Sequence, residues 1–253
     1  MYRIIKNSAA VLMGVWASAS LLALHFFPNR WILLFVLVLW ACVLSVWHFF
    51  LDRIFQIHQK QMAIMIITIV SSFLLFSVAE EAWLRLFLAI LSGFFIGTLS
   101  FLAIEREEEL AVMEKSVRRI HMMLWVWNAY AIAASLLGFS LFYREIPFWV
   151  FQIAGAAVLG AIAWHVWRMY VQGNVWLWMV LVTLSMLEWM WVVHLLPFGY
   201  LVSGLLVTWI WYIAQLMIRF HLTAPGILWR KQAVFLAGNG ALFAGVLFAA
   251  RWA

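Results

Sequence analysis

The sequence predicts an all-α protein, a polytopic transmembrane helical bundle of about nine spans with its N-terminus inside. Of the 253 residues, 68% are hydrophobic and only 10% are charged, whereas a soluble domain is about half apolar and a quarter charged. Nine apolar windows account for nearly the whole chain, each near the roughly 20 residues that a spanning helix needs. The four prolines, Pro28, Pro147, Pro197 and Pro225, all fall between windows, because proline lacks the amide hydrogen that a continuing helix requires.

The windows follow one another with short gaps, so no segment is left for a soluble domain. They lie near 8–27, 31–50, 62–79, 83–104, 120–142, 147–167, 174–196, 198–218 and 232–250. We therefore expect a single transmembrane domain over 1–253. Eight spans are the alternative, if the last window is re-entrant or the first is cleaved after Ala17-Ser18-Ala19, which resembles a signal-peptidase site.

Basic residues predict the orientation, since Lys and Arg accumulate in cytoplasmic loops. With the N-terminus inside, twelve fall on the inner side: Arg3, Lys6, Arg53, Lys60, Arg106, Lys115, Arg118, Arg119, Arg168, Arg219, Arg230 and Lys231. Four fall on the outer side: Arg30, Arg85, Arg144 and Arg251. This bias predicts an inner-membrane protein whose C-terminus lies outside. The longest inner loop, 105–119, alternates in charge sign and is expected to be a helical extension.

Tryptophan is abundant, with 18 residues, and most of them lie near a predicted membrane boundary. The outer set is Trp31, Trp83, Trp149, Trp189, Trp191 and Trp252, and the inner set is Trp125, Trp127, Trp164, Trp167, Trp176, Trp178 and Trp229. Amphipathic indole rings prefer the headgroup level. No cofactor is needed to explain them, and none is predicted.

Polar residues inside a span are expensive and are candidates for function. Glu188 lies about two turns below the outer boundary, where its ionised form is costly, so we expect it to face the bundle interior with a polar partner. His194 follows six residues later, near the opposite side of the same helix. Helix-bridging is the simplest role for Glu188, and proton relay or catalysis is the alternative.

Other intramembrane patterns predict packing. The mid-span amides Asn128, Gln152, Gln215 and Asn239 fit hydrogen bonds between helices. Three pairs of small residues four apart mark close helix contacts: Gly93/Gly97, Ala156/Gly160 and Ala241/Gly245.

Metal chemistry has little support in the sequence. The single cysteine, Cys42, excludes an intramolecular disulfide and cysteine-based clusters, and no HExxH or comparable ligand motif occurs. His48 is one helical turn from Asp52, and a pairing of His48 with His121 or His165 is the arrangement that could ligate a haem. No metal site is predicted.

Two segments resemble the CPBP intramembrane proteases, the CAAX-protease-like or Abi family. Glu80-Glu81-Ala82-Trp83-Leu84-Arg85 matches the EExxxR motif, but the histidine at the distance of the family's FxxxH motif is His121, which lacks the aromatic residue. The last ninety or so residues resemble the family in spacing, with Arg168 at the EExxFR position, His194 in FxxxHL and Asn239 in the closing motif. There the paired glutamates and closing histidine are replaced by Ala163, Trp164 and Phe235, which implies an inactive relative.

The leading interpretation is a non-enzymatic membrane protein: a scaffold, a lipid-binding protein or an assembly subunit. Its expected partners are membrane lipids and other membrane subunits, and the net charge of +6 is read as topology instead of nucleic-acid binding. One alternative is an intramembrane hydrolase that uses Glu188 and His194 with Glu80 and Glu81. Another is a small-solute or proton-coupled carrier centred on Glu188.

Overall fold

The computed structural model describes residues 2–46, 59–103, 114–168, 174–223, 227 and 229–249. Within these ranges the secondary structure is helical, without strands. The helices are α1 Tyr2–Phe26, α2 Arg30–Val46, α3 Gln59–Val78, α4 Ala82–Ala103, α5 Glu114–Phe142, α6 Phe148–Arg168, α7 Trp176–His194, α8 Tyr200–Leu222 and α9 Trp229–Ala249. Each corresponds to one of the nine apolar windows, so the all-α prediction is confirmed.

Six helical segments are long and apolar enough to cross a membrane: Asn7–Phe26, Ala82–Ala103, Ser116–Phe142, Phe148–Arg168, Trp176–His194 and Tyr200–Leu222. Three shorter apolar helices cover Trp31–Val46, Met62–Val78 and Gln232–Phe248. The chain is therefore a multi-pass membrane protein. The full count of nine spans stays a prediction, because the three shorter helices fall below the roughly 20 residues of an untilted span.

The helix ends follow the proline and loop signals where the structure describes them. Pro28, Pro147 and Pro197 lie in connections between helices, as predicted, while Pro225 lies outside the described residues. In the 105–119 loop, helix α5 begins at Glu114, and 104–113 lie outside the described residues. The ends of these helices were therefore readable from local sequence.

The chain forms two compact units, Met1–Leu124 and Trp125–Ala253, and their boundary falls inside α5. In the first unit, α1 lies along α4. A Cβ built on Gly14 would lie 2.7 Å from the carbonyl oxygen of Gly93 and 3.3 Å from the Cα of Gly97. The Ser18 hydroxyl donates to the carbonyl of Ala89 at 3.0 Å. The predicted Gly93/Gly97 contact is thus confirmed, and its partner stripe is Ala10, Gly14 and Ser18 on α1.

In the second unit, buried side chains join α6, α7 and α8. Gly160 packs against Thr183, which confirms the second small-residue pair, and Gly204 packs against the backbone of Ala134. The indole Nε1 of Trp167 donates to the carbonyl of Gln215 at 3.0 Å, and that of Trp211 donates to the carbonyl of Leu159 at 3.0 Å.

One prediction about packing is wrong, and one is not tested. The rings of Trp125 and Trp167 are buried among helices, with 1% and 0% of their surfaces exposed, and their position near the inner boundary stays a prediction. Their helices turn these positions toward neighbouring helices of the second unit. The Ala241/Gly245 pair is not packed, because a Cβ on Gly245 would meet nothing within 4 Å among the described residues.

Candidate functional site

The first unit contains an apolar crevice of about 540 Å³ between α2 and α3. We call it the α2–α3 crevice, and the side chains of its walls include Leu33, Leu37, Trp40, Ile69, Val70 and Phe73. The walls are partly open to the side, since Leu33, Leu37 and Val70 are 42%, 48% and 50% exposed. The crevice is therefore open along one side as well as at its end.

Polar residues gather at one end of this crevice. Asn29 lies in the α1–α2 connection, Ser77 lies near the end of α3, and Arg85 lies in the first turn of α4. The Asn29 Oδ1 accepts a hydrogen bond from the backbone N–H of Trp31 at 3.0 Å. The Ser77 hydroxyl donates to the carbonyl of Leu74 at 2.7 Å. Helix ends meet here, and we call this polar end the mouth of the crevice.

Arg85 supplies the charge at the mouth. Its side chain is half-buried, and its Nε donates to the carbonyl of Ala79 at 2.6 Å. That bond occupies one of the five guanidinium donors. Among the described residues the terminal nitrogens have no recorded protein partner, so they remain available to an oxyanion, which a guanidinium binds through two parallel bonds.

Trp40 closes the other end of the crevice. It is 3% exposed, and its ring meets Phe73 edge to face with centroids 6.4 Å apart. The α3 wall runs from Ser77 at the mouth to Ile69 near this floor, which is about 12 Å at the helical rise of 1.5 Å per residue. One leaflet of the hydrocarbon core is about 15 Å thick, half of the usual 30 Å. The crevice is therefore about one leaflet deep.

A second apolar groove, of about 650 Å³, runs between α1 and α4. Its hydroxyls are already used: Ser18 bonds the carbonyl of Ala89, and Thr98 Oγ1 donates to the carbonyl of Phe94 at 2.8 Å. Among the residues that the structure describes, none with a charge lines it. It is an apolar surface without a group that would orient a ligand.

Glu80 and Glu81 lie in the connection between α3 and α4, and both are exposed. The backbone carbonyl of Glu81 accepts the N–H of Arg85 at 3.0 Å, which starts helix α4. Neither carboxylate forms an ion pair with Arg85 in the part of the chain that the structure describes. Of the charged residues in the EExxxR match, Arg85 is the one that lines the crevice, and the sequence alone did not predict it as a site residue.

Glu188 does not face the interior, contrary to expectation. The buried stripe of α7 is Val182, Met186, Met190 and Val193. Glu188 lies two residues from both Met186 and Met190, which turns it about 200° away from this stripe. Its side chain is exposed and has no recorded hydrogen bond or ion pair among the described residues. Helix α7 is apolar on every side, so its sequence carried no pattern to show which face is buried.

His194 ends α7 and packs on an aromatic ring. Its imidazole stacks on Phe148 with centroids 3.8 Å apart and planes 11° apart. Phe148 in turn lies 5.7 Å from the ring of Trp191. His194 thus packs against aromatic rings, and Glu188 lies at the surface. A catalytic role for either residue stays a prediction.

The three residues that carry the protease resemblance, Arg168, His194 and Asn239, each contact a different aromatic residue. The guanidinium of Arg168 lies over the ring of Trp164, 4.9 Å from its centroid. Asn239 Oδ1 accepts a hydrogen bond from Trp209 Nε1 at 2.8 Å. Arg168 ends α6 while His194 stacks on the residue that begins α6, so the two are about 30 Å apart by helical rise. Arg168 and His194 therefore do not share one cavity.

The predicted pairing of His48 with His121 or His165 is not tested by the structure, because His48 and its neighbour Asp52 lie outside the described residues. Within the described residues, no group of three or more His, Cys, Asp or Glu side chains could hold a metal ion. No protein-family model, curated protein or solved structure matches the chain.

Proposed function

We propose that this chain is a non-enzymatic inner-membrane protein that binds a membrane phospholipid in the α2–α3 crevice. The observation that carries the proposal is the half-buried Arg85 at the mouth of an apolar crevice about one leaflet deep. An acyl chain would lie between α2 and α3, and the phosphate would meet the guanidinium. The lateral opening supports entry of such a molecule from the bilayer.

The headgroup contact, more than the chain contact, should determine how tightly the lipid is held. In water, burial of apolar surface would dominate, but a lipid chain in the bilayer is already surrounded by hydrocarbon. Transfer into the crevice therefore yields only packing contacts. A charge-assisted hydrogen bond between phosphate and guanidinium replaces contacts of the phosphate with interfacial water and is among the stronger polar contacts.

Replacing Arg85 tests the proposal. In the full chain purified in mild detergent, Arg85→Ala should lower the affinity for phospholipid at least about tenfold, since a hydrogen bond to a charged group contributes about 1.5–3 kcal/mol. Arg85→Lys should have an intermediate effect, because lysine keeps the charge but loses the planar fork. Titration of lipid followed by native mass spectrometry measures both.

The matched control is Arg144→Ala. Arg144 is an exposed arginine in the α5–α6 connection of the second unit and does not line the crevice. It should leave lipid binding unchanged. If Arg85→Ala and Arg144→Ala bind lipid equally well, the crevice is not a phospholipid site.

The predicted orientation supports an inner-membrane location with the crevice mouth on the outer side. Twelve predicted inner basic residues against four outer ones favour a cytoplasmic N-terminus. Reporter fusions after Lys60, Lys115 and Arg230 should therefore read cytoplasmic, and a fusion at the C-terminus should read external. A cytoplasmic C-terminus would mean an even number of spans.

A further inference from the structure

Charged residues of both signs follow one another at the mouth of the α2–α3 crevice. Arg85 lines the mouth from the first turn of α4, and Glu80 and Glu81 lie in the α3–α4 connection, five and four residues before it. Two glutamates and one arginine give this segment a formal charge of −1. A segment with that charge beside the mouth does not favour a lipid of net negative charge.

The positive and negative groups are adjacent but separately available. The bond from Arg85 Nε to the carbonyl of Ala79, at 2.6 Å, holds the guanidinium over the backbone that leads into Glu80. Consecutive Cα atoms are about 3.8 Å apart, so both carboxylates arise within two residues of that carbonyl. Both are exposed, and neither is recorded in an ion pair with Arg85 among the described residues. A ligand can therefore use the cation and the anions together.

We infer that the crevice selects a zwitterionic phospholipid with a primary ammonium, a phosphatidylethanolamine, over an anionic one. This inference rests on the lipid-binding function proposed above. The phosphate pairs with Arg85 through two parallel N–H bonds, and the ammonium donates to the carboxylates of Glu80 and Glu81. Phosphatidylglycerol places hydroxyls and a net negative charge beside the two carboxylates. Phosphatidylcholine has the positive charge but no N–H to donate.

The experiment compares lipids that share the same acyl chains, so that only the headgroup differs. The full chain in mild detergent is offered equimolar phosphatidylethanolamine and phosphatidylglycerol, and native mass spectrometry gives the ratio of bound species. We expect a preference of about two- to fivefold for phosphatidylethanolamine, because an exposed ion pair contributes only modestly. Phosphatidylcholine should bind more weakly than phosphatidylethanolamine.

The variant Glu80→Gln/Glu81→Gln should bring the ratio to about one or invert it, since it removes the negative groups and leaves Arg85. Glu145→Gln is the control, because Glu145 is an exposed glutamate in the α5–α6 connection of the second unit. It should keep the wild-type ratio. Thermal unfolding checks that the double variant is folded, and these surface positions should not alter it.

The outcomes separate this inference from the function on which it rests. If Arg85→Ala lowers total lipid binding but the wild type binds both lipids equally, the headgroup assignment is wrong while the lipid site stands. An unchanged ratio in the glutamine variant also overturns it. If Arg85→Ala leaves total lipid binding unchanged, the crevice site itself is wrong.

Discussion

In the first unit, α1 and α4 meet backbone to backbone, whereas in the second unit α6 and α8 are joined through tryptophan indoles. Gly14, Gly93 and Gly97 allow the first contact. Trp167 and Trp211 make the second, each donating to a backbone carbonyl of the other helix at 3.0 Å. Lipid is as apolar as leucine, so hydrophobicity alone does not hold helices together in a membrane. Close backbone packing and interhelical hydrogen bonds are two ways to supply the missing attraction.

The two kinds of contact respond differently to substitution. At a backbone contact neither side can move aside, so any added side chain clashes. At an indole contact the loss is one hydrogen bond and some packing. We therefore expect the first unit to be sensitive to gain of volume and the second to be sensitive to loss of a donor.

The largest effect is expected from Gly14→Leu. A Cβ at this position already lies 2.7 Å from the carbonyl oxygen of Gly93, and a whole side chain would force α1 and α4 apart. The cost should reach about 3 kcal/mol, the upper end for overpacking, seen as a lower midpoint of thermal unfolding in detergent. Gly245→Leu is the control, since its Cβ would meet nothing within 4 Å. Equal losses from the two variants would show that the close contact is not what stabilises the first unit.

A smaller effect is expected from Trp211→Phe. It removes the donor to the Leu159 carbonyl and leaves part of the indole volume empty, together about 2 kcal/mol. Trp189→Phe is the matched control because Trp189 is 38% exposed, whereas Trp211 is fully buried. Thermal unfolding compares the two. If both variants unfold at the same temperature, the indole bonds are not what joins α6 to α8.

The smallest effect is expected from Glu188→Gln. The side chain is exposed and has no recorded partner among the described residues, so the change in stability should stay within about 0.5 kcal/mol. Lipid binding should also be unchanged. A folded Glu188→Gln variant that cannot replace the wild type in cells would favour the proton-relay or hydrolase alternative.

Much of the secondary structure could be predicted because its causes are local. Apolar windows of membrane length became α1 to α9, and Pro28, Pro147 and Pro197 mark connections. Gly93/Gly97 and Ala156/Gly160 were also readable, since two small residues four apart make a flat helix face. The same pattern at Ala241/Gly245 did not lead to a contact, because the pattern permits close packing without supplying a partner.

The candidate site was far less predictable. Glu188 and His194 were predicted as candidate site residues because they are polar residues in an apolar segment. In the structure Glu188 is exposed and His194 stacks on Phe148. Arg85 appeared in the sequence only as an outer basic residue and a motif match. It became a site residue when the α2 and α3 side chains formed a crevice beneath it.

Hydropathy and proline act within one segment, so the residues alone predicted the bilayer as solvent, the helices and their ends. The buried face of each helix became visible when the helices were seen packed together. A helix such as α7 is apolar on every side, so no amphipathic stripe distinguishes the Met186 face from the Glu188 face. Which face is buried depends on which neighbouring helix packs closely against it. The position of Arg85 at the crevice mouth and the exposure of Glu188 could therefore be seen only in the assembled helices.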